Sequence, residues 1–247
     1  MLEELLSQAF WVGLAKIIGV NIILSGDNAV VIALAARALP QQQQKQAIIW
    51  GAGAAIVLRI ILTLFAVALL ALPWLKLVGS VLLFWIGIKL LVPEEDDADI
   101  KANDQLLAAI KTILVADLVM SMDNVIAVAA AAGGSVVLLI LGLAISIPLV
   151  IFGATLLIKL MERFPVIITI GAGLIGWVAG EMLVTDGALA GWLAQLGVKF
   201  VDNQPMVAGW SLELIAGAIG VAFVVAVGKW LAKRQEVAAK PTELSAK

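Results

Sequence analysis

Apolar residues in this chain gather into long blocks separated by short polar stretches. A helix crossing the hydrocarbon core of a bilayer needs about 20 mostly apolar residues. Seven blocks reach that length: Ala9–Ala36, Ala47–Leu72, Trp74–Val92, Leu106–Ala132, Val136–Ile158, Pro165–Val184 and Val207–Leu231. Pro73 and Pro165 stand at or just before helix starts, where a missing N–H costs little. Pro148 lies inside the fifth block and is expected to kink it. Between the sixth and seventh blocks, GALAGWLAQLG within Asp186–Met206 reads as a short interfacial helix with Trp192 at headgroup level.

Composition agrees with the pattern. Of 247 residues 63% are hydrophobic and 14% charged, and the mean hydropathy is +1.10, whereas soluble domains are nearer half apolar and a quarter charged. The expected fold is thus an all-α membrane protein. A net charge of -2 gives no reason to expect a nucleic-acid partner, and the absence of Cys and His removes disulfides, thiol chemistry and imidazole ligands. The opening MLEELLSQAF lacks the basic segment and small-residue cleavage site of a removed signal peptide.

Charge also sets the expected orientation. With seven spans, one side of the membrane receives Arg37, Lys45, Lys89, Lys101, Lys111, Lys159, Arg163, Lys229, Lys233, Arg234, Lys240 and Lys247. The other receives Lys76 and Lys199, with Lys16 and Arg59 inside helices. Positive charge accumulates in the cytoplasm, so the N-terminus is expected outside and the C-terminus inside. The acidic stretch Pro93–Gln105 then becomes a cytoplasmic loop, more simply a solvated linker than a cation trap.

The chain repeats itself. NIILSGDNAVVIALAA, Asn21–Ala36, aligns at a shift of 96 with DLVMSMDNVIAVAAAA, Asp117–Ala132. Asn21 meets Asp117, Ser25 meets Ser121, Asp27 meets Asp123 and Asn28 meets Asn124. At a shift of 92, PWLKLVGSVLLFWIGIKLLV from Pro73 aligns with PVIITIGAGLIGWVAGEMLV from Pro165, and Lys89 falls opposite Glu181. The second and fifth blocks align poorly. Each unit holds three helices, an odd number, so the second must cross the membrane in the opposite sense. Such inverted repeats are common in secondary transporters. The expected organisation is a first three-helix repeat over 1–92, an acidic loop over 93–105 and an inverted three-helix repeat over 106–184. An outer connection over 185–206, a seventh helix over 207–231 and a basic cytoplasmic tail over 232–247 complete it.

A charge inside a membrane helix is costly and persists when it faces a cavity, pairs with another charge or binds something. Here Ser25, Asp27 and Asn28 of one unit, with Asn21, face Ser121, Asp123, Asn124 and Asp117 of the other. These hard oxygen donors suit Mg²⁺, Ca²⁺ or Mn²⁺ better than copper or zinc, and Asp27, Asp123 and Asp117 supply compensating charge. On straight helices Asp27 and Asp123 would stand about 12 Å apart in depth. A single site therefore requires tilted or broken helices, which Gly26 permits in the first unit and Met122 does not in the second; two separate sites are the alternative. Arg59, midway along the second block, serves as a counter-charge for an aspartate in the ion-free state or as its structural partner. Glu181 and Glu213 stand toward the outer helix ends as further counter-charge or coupling groups. The plainer alternative is that Ser and Asn hydrogen-bond between helices and Asp27 pairs with Arg59. Small-residue runs such as Gly51–Ala55 read as close-packing faces.

The SGDNAVVIA and SMDNVIAVA segments, the arginine in the second block and the seven-helix layout resemble the TerC family of bacterial integral membrane proteins, in its short branch without soluble domains. The likeness covers Phe10 to about Leu231. That family is similar to the LysE-type exporter superfamily, and its name derives from an association with tellurium resistance. The resemblance implies export of Mn²⁺ across the bacterial inner membrane, with Asp27, Asn28, Asp123 and Asn124 as ligands and the metal as substrate, not as a resident cofactor.

The leading expectation is a secondary transporter that exports a divalent cation. No phosphate-binding loop suggests ATP as the driver, and proton exchange through the same carboxylates is a compatible coupling. A homo-oligomer is compatible as well. Two alternatives are an exporter of an amino acid or other small solute, and an interaction module that assists metalation of other proteins. No nucleophile–base set marks an enzyme.

Overall fold

The computed structural model describes residues 8–65, 72, 74–92, 102–201 and 204–238. The helix start expected at Pro73, the acidic stretch 93–101 and both chain ends lie outside these residues.

The first apolar block forms two helices, α1 (Gln8–Leu24) and α2 (Gly26–Ala36), which meet at Ser25 with a bend of 51°. The second block forms α3 (Gln41–Leu64), entered from Pro40 at φ -56° and ψ 147°. It begins earlier than its apolar residues, because the glutamine-rich first turn follows a proline that cannot belong to the preceding helix. Four helices follow: α4 (Leu75–Leu91), α5 (Ala102–Ala132), α6 (Val136–Arg163) and α7 (Val166–Val184). Ser135 caps α6 by accepting from Leu138 N at 3.3 Å. Pro148 sits inside α6, and the helix runs on past it to Arg163.

The connection after α7 carries structure that its composition did not announce. A 3₁₀ turn, Gly187–Leu189, leads into the expected short helix, α8 (Ala190–Gln195). Then come three antiparallel strands, β1 (Lys199–Val201), β2 (Gln204–Val207) and β3 (Trp210–Ser211), in the order β1-β2-β3. Val207 pairs with Trp210, so Ala208 and Gly209 form a two-residue turn, both with positive φ, as such tight hairpins require. Asp186 fastens the connection to the bundle: its side chain accepts from Ala188 N at 2.8 Å and from Leu77 N at 2.9 Å, capping α4 from a distance. The last helix is α9 (Leu212–Ala238).

Among the described residues five helices are long and apolar enough to cross a membrane, namely α3, Asn103–Met122 of α5, α6, α7 and Leu212–Gln235 of α9. The bent α1–α2 pair meets the same measure as one broken span. With 17 residues, α4 covers only about 25 Å of a core roughly 30 Å thick. The membrane portion is all-α. Large apolar side chains such as Trp50, Trp85, Phe152 and Ile170 point outward, while Asn21, Ser25, Asn28, Arg59, Asp117 and Ser121 are buried. Lipid favours this distribution, since outward polar groups would find no partner there.

Packing is cross-wise. α1 and α2 lie against α6, α5 lies against α3, and α4 lies against α7. α9 covers α7 and α4. Where α7 meets α9 the backbones touch: a methyl on Gly176 would fall 2.5 Å from Gly220 O, so the contact depends on small residues four apart on α7, Gly176 and Gly180. Gly51 of the GAGAA run works the same way against Ile113 of α5, where a Cβ would meet the isoleucine at 2.8 Å. Gly53 faces open space.

Gly176→Ala should therefore separate α7 from α9 and cost about 1–3 kcal/mol, read as a lower Tm in detergent. Gly53→Ala should hold or raise the Tm, because alanine there gains helix propensity and meets nothing.

A candidate cation site at the helix break

The break at Ser25 arises from local competition for one amide. In an unbroken helix the Asn28 N–H would point at Leu24 O. Here it donates to Asp27 Oδ1 at 2.8 Å. Ser25 O takes up the next ladder bond, from Ala29 N at 3.1 Å, and α2 starts again at a new angle. Glycine at position 26 lowers the cost of leaving the helix by about 1 kcal/mol relative to alanine. Space is not the reason for it, since a Cβ would meet nothing within 4 Å. The released Leu24 O accepts from Asn124 Nδ2 of α5 at 3.2 Å. The two DN motifs thus meet: Asp27 makes the break, and Asn124 occupies the carbonyl that the break exposes.

Behind the break lies Arg59 of α3, 3% exposed. Its Nε donates to Ser121 Oγ at 3.0 Å. One terminal nitrogen donates to Asn21 Oδ1 at 2.7 Å and Ser25 Oγ at 3.1 Å. The other pairs with Asp117 Oδ1 at 2.5 Å. The guanidinium fork presents its donors in a fixed plane, and here four side-chain oxygens from α1, the break and α5 meet it. Ser25 also donates to Asn21 Oδ1 at 3.3 Å, and Ser121 to Asp117 Oδ2 at 3.2 Å. Thr63 donates to Arg59 O at 2.7 Å.

The structure therefore brings Ser25, Asn28, Asp27, Asn124, Asp117, Ser121 and Arg59 to one region of the bundle. Arg59 pairs with Asp117 and not with Asp27. Among the described residues Asp27 has no ion pair. Asn28 is 3% exposed, and neither its Oδ1 nor its Nδ2 has a hydrogen-bond partner. A buried amide left without any bond is costly, and this one sits beside a carboxylate. Asp123 lies within α5, and its side chain is outside the described residues. No group of three or more Asp or Glu suited to a metal occurs among the described residues.

Glu181 and Glu213 are not brought to Arg59. Glu181 accepts from Trp177 Nε1 at 2.7 Å, and Glu213 stands in the first turn of α9, where a negative charge complements the helix dipole. The residue that sequence reasoning valued too little is Asn21. Its signal was present: Asn21 and Ser25 are four apart, as are Asp117 and Ser121, so each pair shares one helix face.

Because Asp117 and Arg59 are both buried, breaking the pair from one side should be expensive. Arg59→Gln should cost about 3–5 kcal/mol, and adding Asp117→Asn should recover much of that loss by removing the stranded charge. A double-mutant cycle on detergent unfolding measures the coupling.

Comparison with known proteins agrees with a multi-pass membrane protein. Residues 6–236 match the integral membrane protein TerC family. The chain is 41% identical over 216 residues to the Uncharacterized membrane protein YjbE of Bacillus subtilis (strain 168), covering 87% of this chain and 93% of that one. It is 27% identical over 199 residues to the Uncharacterized membrane protein YkoY of the same organism, covering 72% of this chain and 61% of YkoY. It is also 27% identical over 190 residues to the Uncharacterized membrane protein YceF, covering 73% and 74%. No solved structure matches the chain. The chain is a multi-pass integral membrane protein that belongs to the TerC family.

Proposed function

We infer that this protein is a secondary transporter that exports a divalent metal cation, Mn²⁺ foremost, from the cytoplasm. The observation that carries the reading is Asn28: a buried amide with both ends unpartnered, next to Asp27, at a helix break inside an apolar bundle. Broken helices supply backbone and side-chain oxygens to ions in transporters, and the donors here are the hard oxygens that Mn²⁺ accepts. The ligands in this reading are Asp27 and Asn28 with Asp123 and Asn124, the repeat partners. Arg59 and Asp117 neutralise each other, so the two remaining carboxylates balance one divalent ion.

The cross-wise packing supports the inverted repeat. The first helix of each half lies against the second helix of the other, and the third helices lie against each other. Gly79 of α4 packs on Val119 of α5, while its partner Gly171 of α7 packs on Val30 and Leu34 of α2. Seven crossings, with α4 as a short one, put the termini on opposite sides, and the Lys and Arg asymmetry favours an outer N-terminus and a cytoplasmic C-terminus. An exporter of amino acids fits less well, because the one buried guanidinium that would receive a substrate carboxylate is already held by Asp117.

Purified protein in liposomes should move Mn²⁺, and Asp27→Asn should slow that flux by more than about tenfold, the loss typical of a damaged metal site, with gel filtration unchanged. Equal flux from parent and variant would remove Asp27 from the site. For topology, the absence of native cysteine makes single replacements clean: Gln41→Cys should label only from the cytoplasmic face and Leu196→Cys only from the outer face. Labelling from a common face would rule out the seven-crossing arrangement.

A further inference from the structure

We propose that the Asn21–Ser25–Asp117–Ser121 cage is a monovalent-cation site of its own, permanently filled by the guanidinium of Arg59, and separate from the site at Asp27 and Asn28. The cage is built from two equivalent helix turns. Asn21 and Ser25 give two oxygens from one half, Asp117 and Ser121 two from the other, and all four accept from one cation at 2.5–3.1 Å. Asn21 must present Oδ1 there, since its amide nitrogen would set donor against donor.

The valence follows from one substitution within the repeat. The position that holds Asp117 in the second half holds Asn21 in the first. One carboxylate and three neutral oxygens carry a single negative charge, which one positive charge cancels. Two aspartates would have called for a divalent ion. Arg59 supplies the single charge on a tether, so the centre is neutral in a region of low dielectric without recruiting an ion from solution. On this view Ser25, Asp117 and Ser121 hold the chain's own cation and are not ligands of the transported metal.

The test is thermal stability of the full-length protein in detergent, with choline chloride as the inert salt. The parent should melt at the same temperature in choline, sodium or low-millimolar guanidinium chloride. Arg59→Ala should melt lower in choline and recover about 5–10 °C with guanidinium, the shift expected when a ligand reaches roughly a hundred times its Kd in a chain of this size. Arg59→Ala with Asp117→Asn, a neutral cage, should fold and lose the response. Arg59→Ala with Asn21→Asp should respond to Mg²⁺ or Mn²⁺ more than to any monovalent ion. A response of Arg59→Ala to divalent ions alone, or to no cation, overturns the proposal. If Arg59→Ala yields no folded protein in choline, purification in guanidinium is the measurement: recovery there supports the cage, and failure there while the neutral double variant folds overturns it. The readout is melting and not flux, so loss of Mn²⁺ transport and loss of the cage are independent results.

Discussion

An arginine buried in the middle of a membrane bundle is the constraint to which the rest of the centre answers. Lipid offers no water to solvate its charge. Every donor must therefore find an acceptor within the protein. Arg59 does so by drawing on α1, the break at Ser25 and α5 at once. Those elements belong to different parts of the sequence, so satisfying one side chain fixes the mutual position of three helices. Hydrophobic burial cannot do that work here, because lipid tails are as apolar as the helix surfaces they touch. Close packing of small residues, as at Gly176 and Gly51, and a hydrogen-bonded polar centre replace it.

The break and the cage are parts of one construction. Ser25 is both the residue at which the helix stops and one of the four oxygens around Arg59. Two residues on, Asp27 withdraws the Asn28 amide from the ladder, and Leu24 O passes to Asn124. A straight α1–α2 would return Leu24 O to Asn28 and leave Asn124 to find another acceptor. In α5 the equivalent segment stays helical across Ser121 to Asn124. The two aligned segments thus sit in unlike backbones and present different groups to the centre: an exposed carbonyl from one, a side-chain amide from the other.

Much of this was legible in the sequence, and the reasons are physical. Long apolar blocks in a membrane chain admit only helices, so the elements were readable from length. The paired S-x-D-N segments were readable because polar residues in such blocks stand out. Gly26 signalled a break one residue from where it occurs. The partner of Arg59 was not legible: Asp27 and Asp117 are both acids in the right blocks, and the choice depends on how far α5 is rotated and raised against α3, which no local pattern encodes. The strands after α8 were missed for a different reason. KFV, QPMV and WS are too short to show alternation, and their turn is Ala-Gly, which lacks the usual Asn or Asp. Pro148 does not end its helix: α6 continues to Arg163, since neighbouring groups in a membrane bundle can absorb one missing N–H.

The two kinds of contact divide the bundle by stiffness. Between α7 and α9, glycines bring backbone against backbone, and a displacement of even a methyl's width would lose the whole interface. Between α1, α2 and α5, apolar packing such as Ile17 with Val128 is joined by hydrogen bonds around one cation and one freed carbonyl. Hydrogen-bonded groups of this sort have discrete alternative partners, as the competition between Asp27 and Leu24 O for the Asn28 amide illustrates. A transporter needs a firm body and an element with more than one arrangement. The glycine-bound layer of α4, α7 and α9 supplies the first. Under the proposed transport function the second would fall at the broken helix, where the unpartnered Asn28 side chain sits beside the Asp27–Asn28 bond.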